Sequence, residues 1–311
     1  MSWMPNKNTL LVNYYRYWIN QYKAGSVRDV TFESYQLTLK QLEELVPNLK
    51  LVEVNHFTYQ KLINDYAKNH EYTTVKGFHH HIKAAMLDAL DENLISRDPT
   101  RHLVLKGLDP KPKKTKFLSL LELKLLLHQI HLGKEIDLDW LILLVSKTGL
   151  RVAEALGLTP EDFNFEEGMI SVTKTWDYKS KTGGFQSTKN KSSIRTIALD
   201  PITCEQFKDA LADCESHRPI FVPRGKRVFI STINNRLRKY CEAAGVSVIS
   251  IHGLRHTHAS LLIYDGVSIS SVAKRLGHSS TITTQNTYLH VIKELQVKDD
   301  NKIMENMIRL A

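Results

Sequence analysis

Residues 107–116 read Gly-Leu-Asp-Pro-Lys-Pro-Lys-Lys-Thr-Lys, and no helix or strand can run through them. Two prolines remove the backbone donors that a helix or a ladder needs, and four crowded lysines favour an extended chain. The polypeptide must therefore fold as two bodies, residues 1–106 and 117–311, joined by a basic tether at 107–116. With 311 residues and 42% hydrophobic content, the chain can bury a core in each.

The two bodies carry different periodicities. Leu10–Lys23, Thr31–Val46, His56–Asn69 and Tyr72–Leu90 place apolar and aromatic side chains at helical spacing, which predicts an N-terminal four-helix module. After the tether, Ser119 and Glu122 form a capping box that opens a helix to about His131. Helices are predicted over Asp139–Thr148, stopped by Gly149, and from Arg151 to Leu156. The period then changes to alternation over Met169–Trp176 and Ser192–Leu199, separated by Gly183-Gly184, which predicts two strands. Thr203–Glu215, Ser231–Ala244, His252–Asp265, Ser270–Leu276 and the segment after Asn301 return to helix. The expected fold is mainly α: the helical module, then a mixed α/β domain that is mostly helical with a small antiparallel sheet.

Charge narrows the partners. The formal net charge is +9, and its distribution is uneven. Residues 1–110 are nearly balanced, with 13 basic and 12 acidic side chains, whereas Ser216–Cys241 holds seven basic and no acidic ones. Clusters of this kind attract polyanions, nucleic acid first among them, although ordinary solvated faces give similar runs. The cations expected to meet a DNA backbone are Lys111, Lys113, Lys114 and Lys116 in the tether, with Lys174, Lys191, Arg195 and Arg236. No apolar run approaches the roughly 20 residues that span a bilayer, so a soluble, cytoplasmic protein is expected without a membrane partner. Cys204, Cys214 and Cys241 are odd in number and lack metal-type pairing, so they read as reduced packing residues.

The chemistry lies in a few motifs. Ile251-His252-Gly253-Leu254-Arg255-His256 is followed by Leu276-Gly277-His278-Ser279-Ser280 and then Tyr288, so imidazoles, a guanidinium and a phenol fall within 37 residues. Upstream, Gly149-Leu150-Arg151 sets a second guanidinium at a helix start. Arginine suits a phosphodiester because its planar fork meets two phosphate oxygens and stays protonated. His252 and Arg255, three apart, share one helix face. His278 follows a helix C-terminus, where a histidine is also favourable as a simple cap. Tyr288 ends a polar stretch, Ser279–Thr287, that lacks apolar periodicity, and its ring is expected on a lightly packed segment. Attack by a tyrosine on phosphorus would leave a covalent phosphotyrosine and conserve the bond energy for rejoining, with neither metal nor cofactor. The expelled 5′ oxygen needs a proton, for which Ser187–Arg195 offers Lys189 and Lys191.

In their order and spacing these motifs resemble the tyrosine recombinases, in particular the integrases of phages and mobile elements. The resemblance is strong over the C-terminal two thirds and weak over the first hundred residues. It implies that Arg151, Lys189, His252, Arg255 and His278 surround the scissile phosphate, with Tyr288 as nucleophile and Glu154 supporting the first arginine. It points at Lys189 over Lys191 as the acid. It also implies double-stranded DNA gripped by the two domains from opposite sides, a homo-oligomer, a tetramer on DNA, and an accessory directionality factor. Larger phage integrases carry a small domain for remote arm sites. None precedes the helices that begin near Leu10, so either the chain is truncated or it acts on simple core sites.

Rival readings remain open at this point. A type IB topoisomerase would use the same chemistry to nick and reclose DNA without assembling protomers. The apolar positions Ile303, Met304, Met307, Ile308 and Leu310 favour assembly if they dock on a neighbouring subunit, yet they fit the chain's own domain nearly as well. A non-catalytic DNA-binding protein would not need the full set of phosphate-directed residues. A metal hydrolase built on His79-His80-His81, or on His252, His256 and His258, lacks the glutamate of the zinc-protease pattern and would set Arg255 against a cation.

Overall fold

The computed structural model describes residues 4–109, 117–180, 182–188 and 190–288, in two compact units, 1–113 and 114–311. In the first unit the four predicted periods form α1 (Leu11–Tyr22), α2 (Asp29–Leu45), α3 (His56–Ala67) and α4 (Tyr72–Asp91). Their apolar faces meet in one core around Leu11, Tyr15, Trp18, Leu62, Ile82 and Met86. Burying one such side chain stabilises by about 1.5–3 kcal/mol. Tyr14 donates to the Ala85 carbonyl at 2.9 Å, whereas the buried Tyr15 hydroxyl has no hydrogen-bond partner among the described residues, and at the surface the Asn55 side chain caps α3. The start of the predicted tether is held to this unit, since the Leu108 amide donates to the His70 carbonyl at 2.9 Å. Residues 110–116 lie outside the described ones.

The second unit opens with α5 (Leu120–His128), and the capping box is present: Ser119 N–H donates to Glu122 Oε2 at 2.8 Å. Next comes α6 (Leu138–Thr148), capped by Asp137 and buried along nearly its whole surface, then the single-turn α7 (Val152–Leu156). Strands β1 (Phe163–Asn164), β2 (Met169–Val172), β3 (Lys174–Trp176), β4 (Phe185–Ser187) and β5 (Arg195–Ala198) follow. Helices α8 (Pro201–Leu211), α9 (Ile230–Ala243), α10 (Ile251–Tyr264), α11 (Ile269–Leu276) and α12 (Thr281–Thr287) complete the unit. Its core runs from Leu126 and Trp140 through Ile170, Ile197 and Phe207 to Leu254.

Two expectations need correction. The alternating run Met169–Trp176 is two strands, because the chain changes sheet at Thr173: β2 pairs antiparallel with β1 and β5, whereas β3 pairs with β4 across the glycine turn. The polar stretch before Tyr288 forms α12, started by Ser280, whose side chain accepts from the Ile282 amide. Capping chemistry replaces apolar periodicity there. Among the described residues no helix is long and apolar enough to cross a membrane.

Candidate active site

Gly149 and Gly277 set the geometry. They end α6 and α11 with φ of 68°, the left-handed conformation in which a β-carbon is strained. Helix C-termini leave carbonyls without intrahelical partners and carry partial negative charge. Here those carbonyls receive arginines. Arg255, on α10 and 3% exposed, donates from Nη1 to Gly149 O at 2.7 Å and from Nη2 to Leu276 O at 2.8 Å, which ties the two helix ends together. Arg151, at the N-cap of α7, reaches Gly277 O at 3.2 Å. Arg195 on β5 donates to Arg275 O at 2.6 Å. Arg275 in turn reaches Lys147 O and Ala198 O at 3.2 and 3.1 Å.

Glu154 is the carboxylate among these cations. It lies 1% exposed, 2.7 Å from Arg151 Nη1 and 3.0 Å from Arg195 Nη2, and it also accepts from the Arg151 amide at 2.9 Å. Burial acts to raise its pKa, but the hydrogen bond and charge of Arg195, with Arg151 beyond, hold it below the ordinary carboxylate value. Arg255 shows the converse: burial and the nearby Arg151 push its pKa down to about 9, so it remains a cation at neutral pH.

The imidazoles divide by their partners. Arg255 Nη2 stands 3.0 Å from His278 Nε2, and a guanidinium can only donate, so Nε2 accepts and the ring proton sits on Nδ1, 2.8 Å from Thr284 Oγ1. Burial and then Arg255 lower the His278 pKa to about 4. His252 is exposed on one side, and its ring stands at 87° to His256 with centroids 4.8 Å apart. Partial burial and then Arg255 and Arg151 hold its pKa below the usual value. Tyr288, at the C-cap of α12, packs against Ala259, Ile263, Val272 and Leu276. It is 2% exposed, which corrects the expectation of a lightly packed ring. Burial raises its phenol to about 12, with Arg255 opposing. The hydroxyl lies 3.1 Å from His256 Nδ1.

The structure therefore brings Arg151, Glu154, Arg255, His278 and Tyr288 into one network, with His252 beside it. Lys189 lies outside the described residues, as do Lys111, Lys113, Lys114, Lys116 and the apolar segment after Asn301. Lys191 is exposed at the start of a 3-10 turn. Three expected DNA-facing cations have inward partners. Arg195 is 4% exposed and bound to Glu154, Lys174 is paired with Asp162, and Arg236 grips Asp139 at 2.9 and 2.7 Å, joining α9 to α6. Each of the three is engaged by a carboxylate within the domain, although Glu154 is shared with Arg151 and leaves that pair of guanidiniums with a net positive charge.

Sequence reasoning missed His256 as a partner of Tyr288, although its i, i+4 spacing from His252 put both rings on one face. It also missed Arg275 and considered His258 only as a metal ligand: Arg275 Nε donates to His258 Nε2 at 2.9 Å, and His258 Nδ1 lies 3.1 Å from Ser146 O. The metal reading loses its ligands in the same way. His79 bonds Tyr59 and His81 bonds Thr38, and no metal-holding group of three or more His, Cys, Asp or Glu occurs among the described residues.

Converging guanidinium donors on a buried carboxylate support, with a phenol beside an imidazole, have the chemistry to hold an anionic phosphoryl group. Residues 116–294 match the phage integrase family, and the chain belongs to that family, the tyrosine recombinases. Among curated relatives, the XerC-like tyrosine recombinase of Caldanaerobacter subterraneus subsp. tengcongensis is 27% identical over 273 residues, covering 78% of this chain and 68% of that protein. The integrase of Staphylococcus phage L54a is 24% identical over 318 residues, covering 90% and 88%. In fold the chain is similar to the Tn1549 transposon integrase solved with circular intermediate DNA, with a TM-score of 0.77, 19% identity and coverage of 90% and 94%. It is also similar to a lambda integrase in a tetramer bound to a Holliday junction, with a TM-score of 0.65, 15% identity and coverage of 88% and 79%. These relatives do not favour a topoisomerase or a non-catalytic DNA-binding protein.

Proposed function

We propose that this chain is a site-specific recombinase that integrates or excises a phage or mobile element by cutting and rejoining double-stranded DNA through a phosphotyrosyl link at Tyr288. Arg151 and Arg255 would clamp the nonbridging oxygens of the scissile phosphate, and Glu154 would orient Arg151. His252 would add a donor at the exposed edge, and Lys189 would protonate the leaving 5′ oxygen. Lys111, Lys113, Lys114, Lys116 and Lys191 would meet the backbone on either side. The observation that carries the reading is the tie of Arg151, Arg255 and His278 to the same end of α11, with Tyr288 one short helix away.

His278 has a conditional part. As a neutral ring with its proton on Nδ1 it accepts from Arg255 and cannot donate to phosphate. An entering phosphate would draw Arg255 away and raise the imidazole pKa, since a nearby negative charge favours the protonated form. Recombination further requires protomers to assemble, and a tetramer on DNA is the form proposed, with direction set by an accessory factor. The test is Tyr288→Phe with a nicked suicide substrate. DNA binding should persist while the covalent protein–DNA complex disappears; cleavage that survives the substitution would refute the nucleophile.

A further inference from the structure

Burial places the phenol of Tyr288 well away from spontaneous ionisation, so its attack on phosphorus needs an acceptor for the proton. The candidates can be sorted by what each ring nitrogen already touches. His278 is occupied on both sides, by Arg255 and Thr284, and His258 is occupied by Arg275 and Ser146. His252 has a ring contact with His256, centroids 4.8 Å apart, and among the described residues no hydrogen bond joins it to Tyr288. His256 Nδ1 lies 3.1 Å from the Tyr288 hydroxyl, within the reach of direct proton transfer. Its backbone adjoins Arg255, which is anchored to the ends of α6 and α11. Among the described residues, the charged and titratable groups around it include His252 and Arg255 on its own helix, His278 after α11 and Tyr288 after α12.

We propose that His256 is the catalytic proton acceptor for Tyr288, an inference that rests on the reading of Tyr288 as nucleophile. As the phenolic oxygen forms its bond to phosphorus, the O–H bond breaks and the proton passes to His256 Nδ1. The bond from phosphorus to the 5′ oxygen breaks with its electron pair, and that oxygen takes a proton from the acid proposed as Lys189. Rejoining runs in reverse: the 5′ hydroxyl attacks, and Tyr288 leaves and regains its proton from His256. The two proton transfers use different groups on opposite sides of phosphorus, which makes them separable by experiment.

The experiment measures single-turnover cleavage by the full chain on suicide DNA carrying oxygen or sulfur at the bridging 5′ position. A sulfur leaving group needs no proton. His256→Ala and His256→Asn should each cleave about 100-fold more slowly than wild type, with DNA affinity unchanged. Asparagine sets an oxygen near the place of Nδ1, so it can hold the phenol but cannot take its proton. Both defects should persist on the sulfur substrate, whereas that of Lys189→Ala should be relieved. A wild-type rate for His256→Asn would reduce His256 to orienting the phenol, and a wild-type or faster rate for His256→Ala would make the contact mere packing. Rescue by sulfur would move His256 to the leaving-group side. If the alanine variant does not fold, the nearly isosteric asparagine variant decides. A DNA-linked peptide that lacks Tyr288 would sink the nucleophile reading itself; a Tyr288 adduct formed equally fast by both variants would sink only the role of His256.

Discussion

Replacing Glu154 by glutamine tests whether the arginine site depends on its carboxylate. The charge is buried, with Arg151 at 2.7 Å and Arg195 at 3.0 Å. At an effective dielectric constant of about 20, each contact is worth roughly 5–6 kcal/mol before desolvation, which offsets several kcal/mol per ion. Arg151 is 37% exposed, so solvent screens its share, while Arg195 at 4% keeps nearly all of its own. Removing one partner of a buried pair costs about 3–5 kcal/mol, and the screening argues for the lower end, about 3 kcal/mol. In a unit of this size that corresponds to a fall in Tm of about 6–12 °C. The pH dependence carries a sign. Because the folded carboxyl is held below its unfolded value of about 4.3, its contribution is complete above that pH and is lost as pH falls through the folded pKa. The gap between wild type and variant should therefore be full at pH 7 and close in acid. Hydrogen exchange of the α7 and α10 amides under increasing denaturant reports this unit separately from the helical module. Adding Arg195→Gln should cost less than the sum of the single changes. A Glu154→Gln variant within about 0.5 kcal/mol of wild type, with a gap indifferent to pH, would refute the argument.

Three other outcomes follow from the same geometry. Gly149→Ala combines a positive φ with a β-carbon 2.7 Å from the His258 ring, and should lose about 2–4 kcal/mol in denaturant unfolding; an unchanged midpoint would contradict the packing. His258 and His278 have pKa values lowered to about 3 and about 4, so the unfolded chain binds protons that the folded one does not. Stability should fall as pH drops from about 6.5 toward 4, with both ring signals silent in an NMR titration from pH 7 to 5, and titrating signals would overturn the assignment. Replacing Lys111, Lys113, Lys114 and Lys116 together by alanine should lower the slope of log affinity against log salt by about 3–4; an equal slope would show that the tether does not touch DNA.

The helices were legible from their apolar period, and at Ser119 and Gly149 cap chemistry agreed with it; the caps at Asn55 and Asp137 came only from the structure. Arg151, Arg255, His278 and Tyr288 were legible as a set because residue type and order carry the chemistry. Which cations face inward was not. Arg195 occupies a strand whose alternation tells two faces apart but not which neighbour supplies a carboxylate 41 residues away. Tyr288 looked loosely held because Ser279–Thr287 lacks apolar period, yet the Ser280 cap and the contact of Thr284 with His278 organise it. The pairing of His256 with Tyr288 joins positions 32 apart through the packing of three helices, and no local pattern encodes it.

The central claim is that the phenolic oxygen of Tyr288 becomes bonded to DNA. The direct measurement is mass spectrometry of the DNA-linked peptide after incubation with suicide DNA carrying candidate attachment sites, in the presence of a chelator. The account predicts a single adduct at Tyr288 joined to a 3′ phosphate. Cleaved DNA with free phosphate ends and no attached peptide, or an adduct on another residue, would contradict it.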